Sequence, residues 1–220
     1  MSTEAEARHS PGSATGKRRL AVVLARHDAI GGTPPGIDPA QFATACLADT
    51  YEVVSGLTEV ESGIAGRPAT ISDLLWPGDR SWSADITVPD LAVAVSGDID
   101  ELVVVPADTP DLPALVLAKV FKALQRADIV IAPEHAGGGC VAIGLALPMA
   151  GWIPASALDL DGASISQLQA AAPRRNRWAL APEWHRVRTP ISVHQLDPGL
   201  EGWEQTRALL SGAPLTIRDS

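Results

Sequence analysis

The stretch Val103–Leu112, VVVPADTPDL, places two carboxylates three residues apart, Asp108 and Asp111, directly after an apolar run. Two carboxylates on one turn can hold a hard divalent cation such as Mg²⁺, which keeps several waters and takes further oxygens from phosphates. A simpler use is also open, because an aspartate ahead of a helix accepts hydrogen bonds from the first helical amides. The surrounding charge does not separate the two. From Ser81 to Ala118 the chain has no Lys or Arg and seven acids, a pattern that suits a bound cation and equally suits a solvated acidic face.

A second candidate is Ala132–Gly139, APEHAGGG. Gly137, Gly138 and Gly139 let a backbone approach a ligand closely and offer N–H groups to a phosphate, with His135 beside them; the alternative is a plain hairpin connection. The third is basic. Arg174, Arg175, Arg177, Arg186 and Arg188 fall within fifteen positions, interleaved with Trp178, Trp184 and His185. They could grip a phosphorylated substrate or stack a base, or form an arginine-rich surface loop or interaction module. Neither a Walker nor a Rossmann glycine fingerprint is present, and neither is G-x-S-x-G. The five His show no metal spacing, and the two Cys, Cys46 and Cys140, make neither a disulfide framework nor a zinc quartet.

The elements that must position these groups read as βαβ units. Leu20–Ala25 (LAVVLA), Glu101–Pro106 (ELVVVP), Asp128–Pro133 (DIVIAP) and Cys140–Leu147 are short continuous apolar runs, the mark of strands buried on both faces. Asp38 followed by Pro39 predicts the start of a helix reaching to about Leu57. Helices are also predicted at 89–96, 113–127, 165–172 and 201–210, the 113–127 segment with an apolar stripe opposite Lys119, Lys122 and Arg126. Residues 58–88 follow no period. Alternating strands and helices predict a mainly parallel sheet covered on both faces.

Composition bounds the partners. The chain has 220 residues, 46% hydrophobic, with formal net charge −9, ample for a packed core and unsuited to non-specific binding of nucleic acid or anionic membrane. Residues 1–16 are polar and unpatterned and read as a disordered tail before one domain over 17–220. Lys17–Arg19 and the apolar run after them imitate a signal peptide, but the run is interrupted at Arg26, and a cytoplasmic protein is expected.

In this order the pieces resemble the GT-A-type nucleotide-diphospho-sugar transferase superfamily, over about 101–147 and, beyond that, 18–57. Two bacterial branches are similar. One is a small glycosyltransferase-like family whose central strand ends in a G-A-D-S-P-D-L-like motif. The other is the 2-phospholactate guanylyltransferase family, whose A-P-D-x-x-G-G-G loop matches Ala132–Gly139 in length. The resemblance implies a three-layer α/β/α, Rossmann-like GT-A fold. It implies Asp108 as ligand of an Mg²⁺ on the nucleotide phosphates, Asp111 in support, and a first loop (Arg26–Gly36, with Gly31, Gly32 and Thr33) around base and phosphates. His135 and Gly137–Gly139 would line the pocket. The implied activity is nucleotidyl or glycosyl transfer from a nucleotide or nucleotide-sugar to a small phosphorylated acceptor.

The motifs depart from that pattern at three places. The first loop, GGTPPG, carries no Lys or Arg after its glycines, and Gly137–Gly139 lack an acid. Where the glycosyltransferase-like branch has D-V-D-T-P, this chain has Arg186–Pro190, RVRTP. Two expectations follow: Arg186 and Arg188 meet phosphate directly in place of the metal's charge, or the chain is a catalytically inactive homologue that binds a nucleotide or a protein as regulator or scaffold.

Overall fold

The structure, a computed structural model, describes residues 16–26, 31–135 and 138–212. The expected tail 1–16 therefore lies outside the described residues but for Gly16.

The four apolar runs are strands: β1 (Arg19–Leu24), β4 (Glu101–Pro106), β5 (Ile129–Pro133) and β6 (Cys140–Ala146). Three strands were not legible in the sequence: β2 (Glu61–Ala65), β3 (Arg80–Trp82) and β7 (Trp178–Leu180). Together they form a seven-stranded sheet in the order β3-β2-β1-β4-β6-β5-β7. Pairings are parallel throughout except for β6, which runs antiparallel to both β4 and β5. The sheet is mainly parallel, as expected.

Successive residues of each central strand face opposite sides, which fixes two cores. On one face Ala21, Val23, Val103, Val105 and Val130 pack against α1 (Pro39–Ser55) and α4 (Ala114–Leu124). On the other, Leu20, Val22, Leu102, Val104 and Ile143 pack against α3 (Val88–Val95) and Leu168 of α5 (Ile165–Ala171). Helices on both faces make the expected three-layer α/β/α sandwich. A short helix, α2 (Pro68–Ile71), connects β2 to β3. The α1 start is set by Asp38, whose carboxylate accepts from the Gln41 amide at 2.9 Å, a cap worth about 1 kcal/mol. Helix α4 comes close to the sheet at Gly144, where a Cβ would stand 2.5 Å from a Val120 methyl.

A third, smaller cluster lies against α1: Phe42 and Cys46 pack on Val187, Leu196 and Trp203, ahead of α6 (Glu204–Leu210). The buried Asp49 carboxylate accepts from the Gln205 and Thr206 amides at 3.0 and 2.7 Å and pins the first turn of α6. Among the described residues no helix is long and apolar enough to cross a membrane.

Candidate functional site

Strand β1 has β2 on one side and β4 on the other, and the chain builds outward to β3 before returning to β4. The gap at the carboxyl ends of β1 and β4 is therefore a topological switch point, where open α/β sheets take their ligands. A cavity of about 280 Å³ opens there. Its walls are Leu24–Arg26 at the end of β1, Gly31, Pro106–Asp108 at the end of β4, Leu160 and Asp161, and Arg186 and Arg188.

Local hydrogen bonds carry Asp108 past the strand end. Ala107 donates its amide to the Leu24 carbonyl at 3.2 Å, and the Thr109 hydroxyl donates to the Pro106 carbonyl at 2.9 Å. The Asp108 carbonyl in turn accepts from the Val187 amide at 2.8 Å, which lays residues 186–188 along the cavity. In this extended stretch Arg186 and Arg188 project to the cavity side, while Val187 between them is buried in the cluster with Phe42 and Cys46.

Arg186 grips Asp108 with both arms, Nε to Oδ1 at 2.7 Å and Nη2 to Oδ2 at 3.0 Å. Its Nη2 is also 3.0 Å from Asp161 Oδ1, and its Nη1 donates to the carbonyls of Leu160 at 2.8 Å and Cys140 at 3.4 Å. Burial alone would lower the Arg186 pKa, but the charge and hydrogen bonds of Asp108, then Asp161 and Glu134, raise it above the ordinary value. Asp161 is affected in the opposite sense: burial is outweighed by Arg186 and Arg188, and its pKa is lowered. Arg188 pairs with Asp161 and lies 3.5 Å, Nε to Oε2, from Glu134. That Glu134 oxygen is buried and has no hydrogen-bond partner. Burial pushes the Cys140 thiol up to about 12, so no thiolate nucleophile stands here.

The two aspartates of the motif do different things. Asp108 borders the cavity. Asp111 does not: its fully buried carboxylate accepts from Trp184 Nε1 at 3.2 Å and the Asp197 amide at 3.1 Å and pairs with His185 Nε2 at 2.9 Å. It fastens the C-terminal segment to the sheet, which corrects the expectation that it supports Asp108. Neither aspartate caps α4, whose N-cap is Pro113 with no side-chain hydrogen bond.

The glycines divide as well. Gly31 lines the cavity, but a Cβ there would meet the Arg188 carbonyl at 2.7 Å. Gly32 is buried, and its Cβ would meet the Val187 carbonyl at 2.5 Å. These two glycines thus serve the close approach of the first loop to residues 187–188. Gly32 and Thr33 are not on the cavity wall, contrary to expectation. Gly139 packs against the Leu160 carbonyl, 2.6 Å from where its Cβ would be, whereas Gly138 faces open space; neither lines the cavity. Gly137 lies outside the described residues. His135 is exposed and 2.9 Å from Glu183, and it is not on the wall of this cavity. In the basic cluster, Arg177 pairs with Asp128 at the start of β5, and Arg174 and Arg175 are exposed.

The residues present do not fit the Mg²⁺ that the resemblance implies. Both Asp108 oxygens are taken by Arg186. Asp111, the second carboxylate of the motif, is engaged by Trp184, His185 and the Asp197 amide away from the cavity, so the one or two free carboxylates that Mg²⁺ uses are not supplied by this motif.

Comparison with known proteins agrees with this architecture. Residues 90–155, from α3 to just beyond β6, match the model of a family described as "uncharacterized protein conserved in bacteria (DUF2064)". No curated protein matches the sequence. Among solved structures, the chain resembles a protein of Desulfovibrio desulfuricans G20 named as a nucleotide-diphospho-sugar transferase. The TM-score is 0.61 at 16% identity, covering 90% of this chain and 99% of that one. It also resembles the 4-diphosphocytidyl-2C-methyl-D-erythritol synthase of Anaerococcus prevotii DSM 20548, with TM-score 0.55 at 13% identity, covering 88% and 96%.

Proposed function

From a chain with the fold of the nucleotide-diphospho-sugar transferases, we propose a nucleotide-dependent transferase. In this reading the switch-point cavity takes a nucleotide or nucleotide-sugar, and a nucleotidyl or glycosyl group passes to a small phosphorylated acceptor. The observation that carries the reading is the position of Arg188, part-exposed on the wall of that cavity opposite the ends of β1 and β4. In an in-line displacement an acceptor oxygen attacks the activated phosphorus or sugar carbon, and the bond to the departing phosphate breaks. Negative charge grows on the leaving oxygens, and a fixed guanidinium within a partly closed cleft stabilises it. Magnesium has no part in this reading, since Asp108 is already engaged.

A second reading, a homologue that binds without catalysing, is favoured by the same Asp108–Arg186 pair, which leaves Asp108 with no free oxygen toward the cleft. Calorimetric titration with GTP, CTP and UDP-sugars, in EDTA and in Mg²⁺, tests both. Binding of one of them, with product formed on adding phosphorylated acceptors, supports the transferase. Binding without product across the acceptor panel supports the second reading as a nucleotide binder. No binding of any nucleotide removes the transferase and leaves the second reading only in its protein-binding form.

A further inference from the structure

Every donor of Arg186 is spoken for. A guanidinium has five N–H groups in a fixed fork. Here Nε–H goes to Asp108, the two Nη2 hydrogens to Asp108 and Asp161, and the two Nη1 hydrogens to the Leu160 and Cys140 carbonyls. Arg186 is also almost wholly buried, its side chain 6% exposed. It cannot turn to a ligand without abandoning Asp108. Arg188 differs: its side chain is 29% exposed, and one of its two ion pairs is the loose 3.5 Å contact with Glu134.

The charge balance is equally telling. A divalent-metal site needs carboxylate oxygens in excess of fixed cations. Among the described residues around this cavity, Asp108, Asp161 and Glu134 stand against Arg26, Arg186 and Arg188, so these residues hold no acidic surplus. A divalent cation would add two uncompensated charges or would have to expel a buried guanidinium.

We infer that Arg186 is a built-in replacement for a divalent cation, so that the cleft binds phosphate without metal, through Arg188. Arg186 is then a positioning residue that neutralises Asp108 and Asp161, and Arg188 is the group that meets the phosphate. The inference deepens the nucleotide reading and rests on it only for which phosphorylated ligand is used.

Two probes test it on the full chain: Mn²⁺, followed by electron paramagnetic resonance, and pyrophosphate, followed by calorimetry in EDTA. The wild type should leave Mn²⁺ free and bind pyrophosphate in EDTA. Arg188→Ala should weaken pyrophosphate binding by about ten- to a hundredfold, the loss of one charge-assisted contact, in a protein whose circular dichroism shows the wild-type fold at the assay temperature. Arg186→Met should gain Mn²⁺ binding; should it fail to fold, the wild-type Mn²⁺ result still decides the point. Stoichiometric Mn²⁺ binding by the wild type that is lost in Asp108→Asn overturns the inference. So does pyrophosphate binding that needs metal, survives Arg188→Ala, or never occurs. If pyrophosphate binds in EDTA but no nucleotide does, the nucleotide reading fails and the metal-free site stands.

Discussion

Strand β4 carries a carboxylate with a cationic partner at each end. At its amino end Glu101, wholly buried, meets Lys17 at 2.7 Å and Arg19 at 2.9 Å. Both cations come from the start of the adjacent strand, with Arg19 directly in register with Glu101. At its carboxyl end Asp108 meets Arg186, a partner 78 residues away, on the wall of a cavity that a second arginine shares. An ion pair in itself therefore says little about function. What distinguishes the carboxyl end is the open volume beside the pair and an Arg188 not fully committed to its neighbours.

The contrast can be broken by experiment. Arg19→Met leaves the Glu101 carboxylate with only the half-exposed Lys17. Losing this hydrogen bond to a buried carboxylate should cost about 3 kcal/mol of stability in urea denaturation, leaving pyrophosphate affinity unchanged. An equal loss of affinity would mean the two ends are not independent.

Another buried carboxylate, Asp49, sharpens the comparison because main-chain amides hold it rather than an arginine. Burial pushes its pKa up to about 6, despite those amides and Thr206 pulling it down. The folded state thus binds the proton more tightly than the unfolded chain, and this residue's contribution to stability falls as pH rises from about 4 to about 6. The drop is about 3 kcal/mol and is complete by pH 7. Asp49→Asn should remove that slope, as urea midpoints at pH 4.5 and 7 would show; an unchanged slope would place the titration elsewhere.

The smallest expected effect separates the two glycine loops. Gly32→Ala forces a Cβ against the Val187 carbonyl and should cost about 1–3 kcal/mol, whereas Gly138→Ala meets open space and should stay within about 0.5 kcal/mol in thermal unfolding.

Much of this architecture is legible in the sequence because β1, β4, β5 and β6 are buried on both faces and so are written as unbroken apolar runs. The same is true of α1, whose Asp38–Pro39 start is local chemistry. The strands β2, β3 and β7 leave no such trace. In β2 (ESGIA) Gly63 makes room for the Trp82 ring of β3, 2.7 Å from where its Cβ would be, so a missing side chain does the packing. The three-residue strands β3 and β7 are only partly buried and too short to show a period.

At the site, Asp108, Arg186 and Arg188 could be found by motif and composition. Asp161 and Glu134 were missed as site residues because their meeting with the arginines is purely tertiary; the only hint was LDLDG, an acidic turn with no other evident purpose. Asp111 looked like a partner of Asp108 for the opposite reason. Spacing on a turn does not reveal which side chain a distant Trp184 and His185 will claim.

The alternation of Arg186, Val187 and Arg188 ties two parts of the molecule into one unit of inheritance. Any redesign of the cleft that shifts this extended segment by a single residue would bury a guanidinium among Phe42 and Cys46 and turn a valine toward the cavity. Side chains that face the cavity can therefore be exchanged one by one, whereas inserting or deleting a residue between Trp184 and Thr189 would reverse which of them face it.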